Sequence, residues 1–323
     1  MFAGLALIAG AFEAAVGYPD ALYRALGHPV TWIGRLIAWA DRVWNSEEDS
    51  PTEQRTQGIV FVFLLVAVSL LVGFIISRLC YLLLPPVVAL LLSAVLASSL
   101  LAQRSLHAHV QAVADALGSK GLAAGREAVA MIVGRDTKEL DEAGVCRAAI
   151  ESLAESFCDG VVAPILWMAL LGLPGAVAYK AINTADSMVG HKSARYVDFG
   201  WAAARTDDVV NWPAARLAVL WLALGAVVTG LSPARALTTA WRDAGKHDSP
   251  NAGWPEAAMA GALGVRLMGP RSYDGELVDH DWMGDGRAAL KAIDIRTALR
   301  LYRAACGAQL VVLAILVALS WWG

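Results

Sequence analysis

Residues 56–103 read TQGIVFVFLLVAVSLLVGFIIS, then Arg78, then LCYLLLPPVVALLLSAVLASSLLAQ. The first piece is 22 residues without a charge and the second is 25. A helix crosses the hydrocarbon core of a bilayer with about 20 predominantly apolar residues, so this stretch offers two candidate membrane helices. Runs 160–179, 217–234 and 304–323 are of the same kind. Residues 1–17 are apolar apart from Glu13, and without a basic leading region they read as a retained helix rather than a cleaved signal. Composition agrees. Hydrophobic residues make up 57% of the 323 and charged residues 17%, against about 25% charged in soluble domains. Mean hydropathy is +0.53. These figures exclude a disordered chain, a collagen-like fibre and an ordinary soluble globule. A net charge of −3 lacks the basic excess of a nucleic-acid binder. Cys80, Cys146, Cys158 and Cys306 are scattered and read as small buried apolar residues.

The fold class expected is therefore all-α, a polytopic helical bundle with five to six apolar helices and additional cytoplasmic helices. No long linker or repeat interrupts it, so residues 1–323 read as a single membrane domain. Run 160–179 contains Pro164, Gly172, Pro174 and Gly175, which makes it a candidate broken or re-entrant segment. If every run spans, segments 18–55, 104–159 and 235–303 share one side and hold twenty of the 26 Lys and Arg. The positive-inside rule makes that side cytoplasmic, as in a multi-pass protein of a bacterial inner membrane, with Trp321 and Trp322 as an interfacial anchor. Polar segment 181–216 then falls on the opposite side unless 160–179 stops short of crossing. Between the runs, Leu106, Val110, Val113 and Leu117 recur at helical spacing, with Gly118 as the stop. A second helix is expected near 122–133. Asp141 can cap a third over 142–158. Pro255 suits the first position of a helix over 255–264, in which Ala257 and Gly261 permit close backbone approach. No alternating strand pattern is visible.

Several blocks carry chemistry. In ESLAESFCDG (151–160), Glu151, Glu155 and Asp159 recur every four residues, which puts them on one helix face. Carboxylates entering an apolar run are costly, about 3 kcal/mol each at bilayer depth; they are either solvated helix-end groups or a Mg²⁺ site. In YKAINTADSMVGH (179–191), Asn183 and Asp186 share a face one turn beyond Lys180. That group suits a metal–phosphate site or an interfacial helix with a snorkelling lysine. Asp207 and Asp208 end the block at 196–208, and one of them could instead cap a following helix. Arg135 in GRD is a phosphate contact or a surface ion-pair partner. Loop 246–256 gathers Lys246, His247, Asn251, Trp254 and Glu256, a binding loop or a plain connector. Nucleotide-loop, zinc-protease and nucleophile-elbow motifs are absent. Read from residues alone, the chain is an enzyme of phosphorylated substrates or a solute carrier.

Four stretches resemble the CobD/CbiB family of cobalamin biosynthesis: GYPDALYRALGHPVTWIGRLI (17–37), AVAMIVGRDTKELDEAGVCRAAIESLAESFCDGVVAPILW (128–167), AYKAINTADSMVGHKSARYVDFGWAAARTDDVVNW (178–212) and KHDSPNAGWPEAAMAGALGVRL (246–267). The resemblance implies a membrane ligase that joins aminopropanol, or its phosphate, to a propionate carboxyl of adenosylcobyric acid, with ATP as co-substrate and Mg²⁺ as cofactor. Carried over block by block, it implies Glu155, Asp159, Asn183 and Asp186 around the metal, and Lys180, Arg135 and Lys246 on phosphate oxygens. Asp207, Asp208 and Glu151 take the catalytic roles. Asn251, Trp254, Glu256, His28 and Arg35 contact the corrinoid. The expected geometry gathers Asp159 and Asp186 into one pocket on the cytoplasmic side. The alternatives are a non-catalytic membrane carrier or sensor like the AmpE proteins, and a phosphotransferase of another substrate.

Overall fold

The computed structural model describes residues 2–134, 136–273, 276–278 and 280–320. Arg135, Trp321 and Trp322 lie outside the described residues. The described residues are predominantly helical. The helices are α1 (Ala3–Val16), α2 (Asp20–Leu26), α3 (Pro29–Trp44), α4 (Pro51–Leu83), α5 (Pro86–Ser98), α6 (Gln103–Lys120) and α7 (Leu122–Ala130). They continue as α8 (Glu142–Phe157), α9 (Ala163–Val189), α10 (Trp201–Thr229), α11 (Pro233–Asp243), α12 (Gly253–Leu263) and α13 (Ala292–Leu319). Among the described residues, five helical stretches are long and apolar enough to cross a membrane: Pro51–Leu83, Pro86–Lys120, Glu142–Val189, Trp201–Thr229 and Ala292–Leu319. The protein is a multi-pass membrane protein.

Local signals explain where helices begin. Ser50 caps α4, its side chain accepting the Glu53 N–H while Glu53 returns a bond to the Ser50 N–H, and Pro51 occupies the first turn. Asp141 caps α8 by accepting the Gly144 N–H at 2.6 Å. Other boundaries differ from the sequence reading. α6 passes through Gly118 and stops at Lys120, because the left-handed φ of +84° falls at Gly121. The apolar run 79–103 is not one helix, since the chain turns at Leu84–Pro85 before α5. Pro255 sits two residues inside α12 rather than at its first position. Among the described residues four short strands also form: β1 (Leu267–Met268), β2 (Arg271–Tyr273), β3 (Glu276–Val278) and β4 (Trp282–Met283), paired antiparallel as β1–β4 and β2–β3. Strands of two or three residues are too short to show alternation.

The residues fall into two compact units, each assembled from separate stretches: Met1–Ala102, Ala163–Asn211 and Leu313–Gly323, and Gln103–Val162 with Trp212–Val312. No linker separates them, and α10 and α13 each run from one set into the other. In the first unit α9 packs along α4, with Gly73 against the Pro174 backbone. The expected break in run 160–179 falls at Gly172, whose φ of 71° is left-handed, followed by Pro174. Ile37 and Ala40 of α3, Phe61 and Leu65 of α4, and Ala185 and Val189 of α9 share one core, where Phe61 stacks on Phe199 with centroids 5.7 Å apart. In the second unit Tyr302 of α13 meets Phe157 edge-on and donates to the Gln103 carbonyl at 3.0 Å. α12 packs on α11, where a Cβ on Gly261 would meet the Thr239 side chain at 2.6 Å, the close approach expected of that glycine.

Candidate functional site

In the first unit, α9 and the first three turns of α10 bring polar side chains together in an otherwise apolar setting. α9 carries Tyr179, Lys180, Asn183 and Asp186, and α10 carries Asp207, Asp208 and Asn211. The buried Tyr179 hydroxyl donates to Asn211 Oδ1 at 2.9 Å, and Asn211 Nδ2 donates to Asp207 Oδ2 at 2.8 Å. Lys180 Nζ donates to Asn183 Oδ1 at 3.3 Å. The Asn183 side chain and the Asp186 and Asp208 carboxylates are neighbours of Asp207. Asp208 and His191 also lie near Asp186. Arg205 pairs with Asp208 at 3.1 Å. Asp207 is buried, and its Oδ1 has no hydrogen-bond partner among the described residues. Neither aspartate caps a helix; both lie inside α10, and both come near Asp186 although adjacent residues on a helix diverge by about 100°.

A buried carboxylate oxygen with no donor, among two further carboxylates, is costly unless a cation compensates it. Mg²⁺ is usually held by one or two carboxylates, with water and substrate phosphates completing its octahedron. The set Asp186, Asp207, Asp208 and Asn183 fits that pattern. Among the described residues no group of three or more His, Cys, Asp or Glu could hold a metal by itself, so phosphate and water oxygens would complete the shell.

Pro213 withholds an N–H from α10 just beyond Asn211, and the Trp167 indole donates to the Val210 carbonyl at 3.1 Å in this loosened turn. His28 caps α3, its Nδ1 accepting the Val30 N–H at 3.3 Å. Burial lowers its pKa, and the Lys180 charge lowers it further. Arg35 is exposed on α3.

The second unit holds the remaining expected residues, in roles of several kinds. Glu151, Glu155 and Asp159 do not share an environment. Glu151 is buried, Glu155 exposed and Asp159 half-buried. A π-turn at Cys158–Val162 widens the helix and shifts Asp159 out of register with the two glutamates, which themselves lie one turn apart in α8, one buried and one exposed. Glu151 Oε1 accepts the Met268 N–H at 2.6 Å, holding a residue whose φ is +61°. Lys246 donates to the Trp282 carbonyl and to Asp243, each at 2.8 Å, which makes it a brace between α11 and β4. Asp243 also receives Arg242 at 2.7 Å and the Gly284 N–H at 2.8 Å. Burial raises the Asp243 pKa, but these donors outweigh it and hold the carboxyl well below the usual range.

Asn251 and Trp254 do come together, around a residue the sequence did not single out. Arg216 donates to Asn251 Oδ1 at 2.9 Å, and its guanidinium lies 4.6 Å from the Trp212 ring centre and 4.4 Å from that of Trp254. Trp241 meets Trp254 edge-on at 5.9 Å. Arg216, Trp241 and Trp254 border an apolar cavity of about 530 Å³ between α10, α11 and Trp254. Glu256 is buried, with His247 Nε2 at 3.6 Å from Oε1. In the sequence Arg216 only marked the start of an apolar run, and Asn211 and Tyr179 carried no charge to draw attention to them.

A family model described as CobD/Cbib protein matches residues 6–302. The chain belongs to the CobD/CbiB family. It is 51% identical over 305 residues to the cobalamin biosynthesis protein CobD of Sinorhizobium fredii, covering 94% of this chain and 93% of that one. It is 45% identical over 320 residues to the protein of that name from Rhodobacter capsulatus, covering 99% and 98%. For the Brucella suis protein of that name the identity is 46% over 295 residues, covering 89% and 88%. No solved structure matches the chain. Membership in the CobD/CbiB family gives the protein a role in cobalamin biosynthesis. The family match takes in both polar clusters described above, since both fall within residues 6–302.

Proposed function

We propose that the protein is a ligase of the inner membrane that forms an amide between aminopropanol, or its phosphate, and a propionate carboxyl of adenosylcobyric acid, consuming ATP. The observation that carries the reading is the cluster of Asp186, Asp207 and Asp208 beside Asn183 and Lys180, with one buried carboxylate oxygen left without a donor. Amide formation from a carboxylate needs activation. Transfer of the γ-phosphoryl group to the propionate oxygen gives an acyl phosphate and ADP. The amine then attacks the acyl carbon, the C–O bond to phosphate breaks, and one proton leaves the nitrogen. A bound Mg²⁺ would neutralise charge on the phosphates during the first step.

The side chains have complementary tasks. Asp207, held by the Asn211 amide that Tyr179 in turn fixes, would offer its Oδ1 to a bound cation. Lys180 supplies an ammonium to phosphate oxygens, and Asn183 holds it in place. Asp208, less buried than Asp207, takes the amine proton. In the second unit, Arg216 between two indoles, with Asn251, offers a flat surface and hydrogen bonds to a macrocycle that bears peripheral amides. Glu151 and Lys246, tied to Met268 and Asp243, serve to hold the loops that follow α12.

The test is product analysis with the full chain in nanodiscs, adenosylcobyric acid, each amine in turn, and MgATP. The expected result is a new amide by mass spectrometry with stoichiometric ADP. Corrinoid flux into vesicles without ATP use would point to a carrier, and a product bearing a new phosphoryl group instead of an amide to a phosphotransferase.

A further inference from the structure

α3 has three faces. On a 100° wheel, Trp32, Leu36, Trp39 and Val43 fall within about 60° of one another. They are 50%, 41%, 48% and 56% exposed. Arg35 and Arg42, both exposed, lie about 80° to one side of this stripe. Ile37 and Ala40, both buried, lie about 100° to the other side and pack into the core formed with α4 and α9. A solvated helix has no use for two half-exposed indoles in line with Leu and Val. The level of the helix is fixed by what it packs on. Its core neighbours Phe61, Val62 and Leu65 are in the first apolar turns of membrane-crossing α4, just past the charged Glu53 and Arg55. Arg55 itself lies 3.9 Å over the Trp201 ring, an arginine–indole pair suited to the boundary between water and lipid.

We propose that α3 lies in the plane of the membrane, with its Trp32–Leu36–Trp39–Val43 stripe among the acyl chains and Arg35 and Arg42 on the phosphates of an anionic leaflet. The occupant of this face is lipid, because α3 packs on the first apolar turns of α4, where Ile59, Val60 and Phe63 are likewise exposed, and tryptophan beside arginine is the composition of an interfacial helix. The arrangement gives Arg35 a headgroup to bind instead of the corrinoid. It also sets the height of the acidic cluster. Gly34 of α3 faces Met188, and Ala185 and Val189 join the α3 core on either side of Asp186. An anchored α3 therefore holds the end of α9 at the headgroup layer, where polar substrates can reach it.

The experiment is nitroxide labelling of single-cysteine variants of the full chain in vesicles of phosphatidylcholine with roughly a third phosphatidylglycerol. The four native cysteines are buried. Trp32→Cys, Leu36→Cys, Trp39→Cys and Val43→Cys should collide more with oxygen than with a water-soluble nickel chelate, at depths of about 5–10 Å. Arg35→Cys and Arg42→Cys should show the reverse. Chelate-dominated collisions at all six positions would overturn the proposal, as would exclusion of both reagents from the stripe, which would mean that protein covers it. A paired Arg35→Gln/Arg42→Gln change should make the stripe shallower in these vesicles and leave it unmoved in pure phosphatidylcholine. Equal depth in both would overturn the role given to the arginines.

Discussion

Asp207→Asn separates the electrostatic cost of the acidic cluster from its use. In the wild type Asp207 Oδ1 is buried without a donor, near the carboxylates of Asp186 and Asp208. A buried unsatisfied polar group costs about 1–3 kcal/mol, more when charged. The asparagine is nearly isosteric, keeps an oxygen for the Asn211 amide, and turns an N–H toward acidic neighbours. Without divalent cations the variant should therefore be more stable than wild type, by about 1–3 kcal/mol. Mg²⁺ should reverse the order. A ligand at a hundredfold its Kd stabilises the folded state by about 2.7 kcal/mol, and this gain belongs to the chain that retains the carboxylate. The assay is thermal unfolding in detergent, with EDTA and then with a Mg²⁺ titration. The wild type should gain several degrees of Tm with Mg²⁺, and Asp207→Asn should gain less than half as much. An equal gain in both proteins, or a variant that melts lower in EDTA, would refute the reasoning.

Three further outcomes follow from the same geometry. Glu151→Ala strands the Met268 N–H and should cost about 1–3 kcal/mol of stability, whereas Glu151→Gln keeps the acceptor and should retain turnover; loss of turnover in a stable Glu151→Gln would make Glu151 catalytic. Asp243→Asn weakens a fully buried carboxylate's bonds to Arg242, Lys246 and Gly284, and should cost about 3 kcal/mol. The Asp243 pKa is held down in the folded state, so its contribution is complete above about 3.9 and lost as pH falls below that value; the variant should lack that acid-side slope in a denaturation series. The pKa of His28 is lowered in the folded state by burial and by Lys180. The unfolded chain then takes up a proton near pH 6.5 that the folded one does not, and stability should decline as pH falls below about 6.5. His28→Asn, which keeps an oxygen for the cap, should flatten that decline.

The membrane helices were legible because apolar length is a strong signal, and α8 began where Asp141 placed its cap; α4 begins at Pro51, ahead of the apolar run that starts at residue 56, because Ser50 caps it. Gly118 misled because a glycine inside a helix and a glycine beyond its end look alike; only the positive φ at Gly121 distinguishes them. The i, i+4, i+8 pattern of Glu151, Glu155 and Asp159 assumed a regular α-helix, and the π-turn at Cys158 removed that assumption. In the acidic cluster, the shared helix face of Asn183 and Asp186 could be read from spacing. Tyr179 and Asn211 could not, since they meet across two helices, and side-chain contacts between separate stretches leave no period in a sequence. Arg216 was hidden for a different reason. As the last charge before an apolar run it served only to mark a boundary, and its two indole partners lie four residues away on one side and thirty-eight on the other.

The central claim is that ATP activates the propionate carboxyl at the acidic cluster, and isotope transfer tests it most directly. Adenosylcobyric acid carrying ¹⁸O in that carboxyl would be turned over with aminopropanol, MgATP and the full chain in nanodiscs, and the released phosphate analysed by mass. Activation as an acyl phosphate predicts one ¹⁸O in each phosphate released, with both product and label lost in Asp207→Asn. Amide formed with unlabelled phosphate, or labelled phosphate formed at the wild-type rate by Asp207→Asn, would contradict the account.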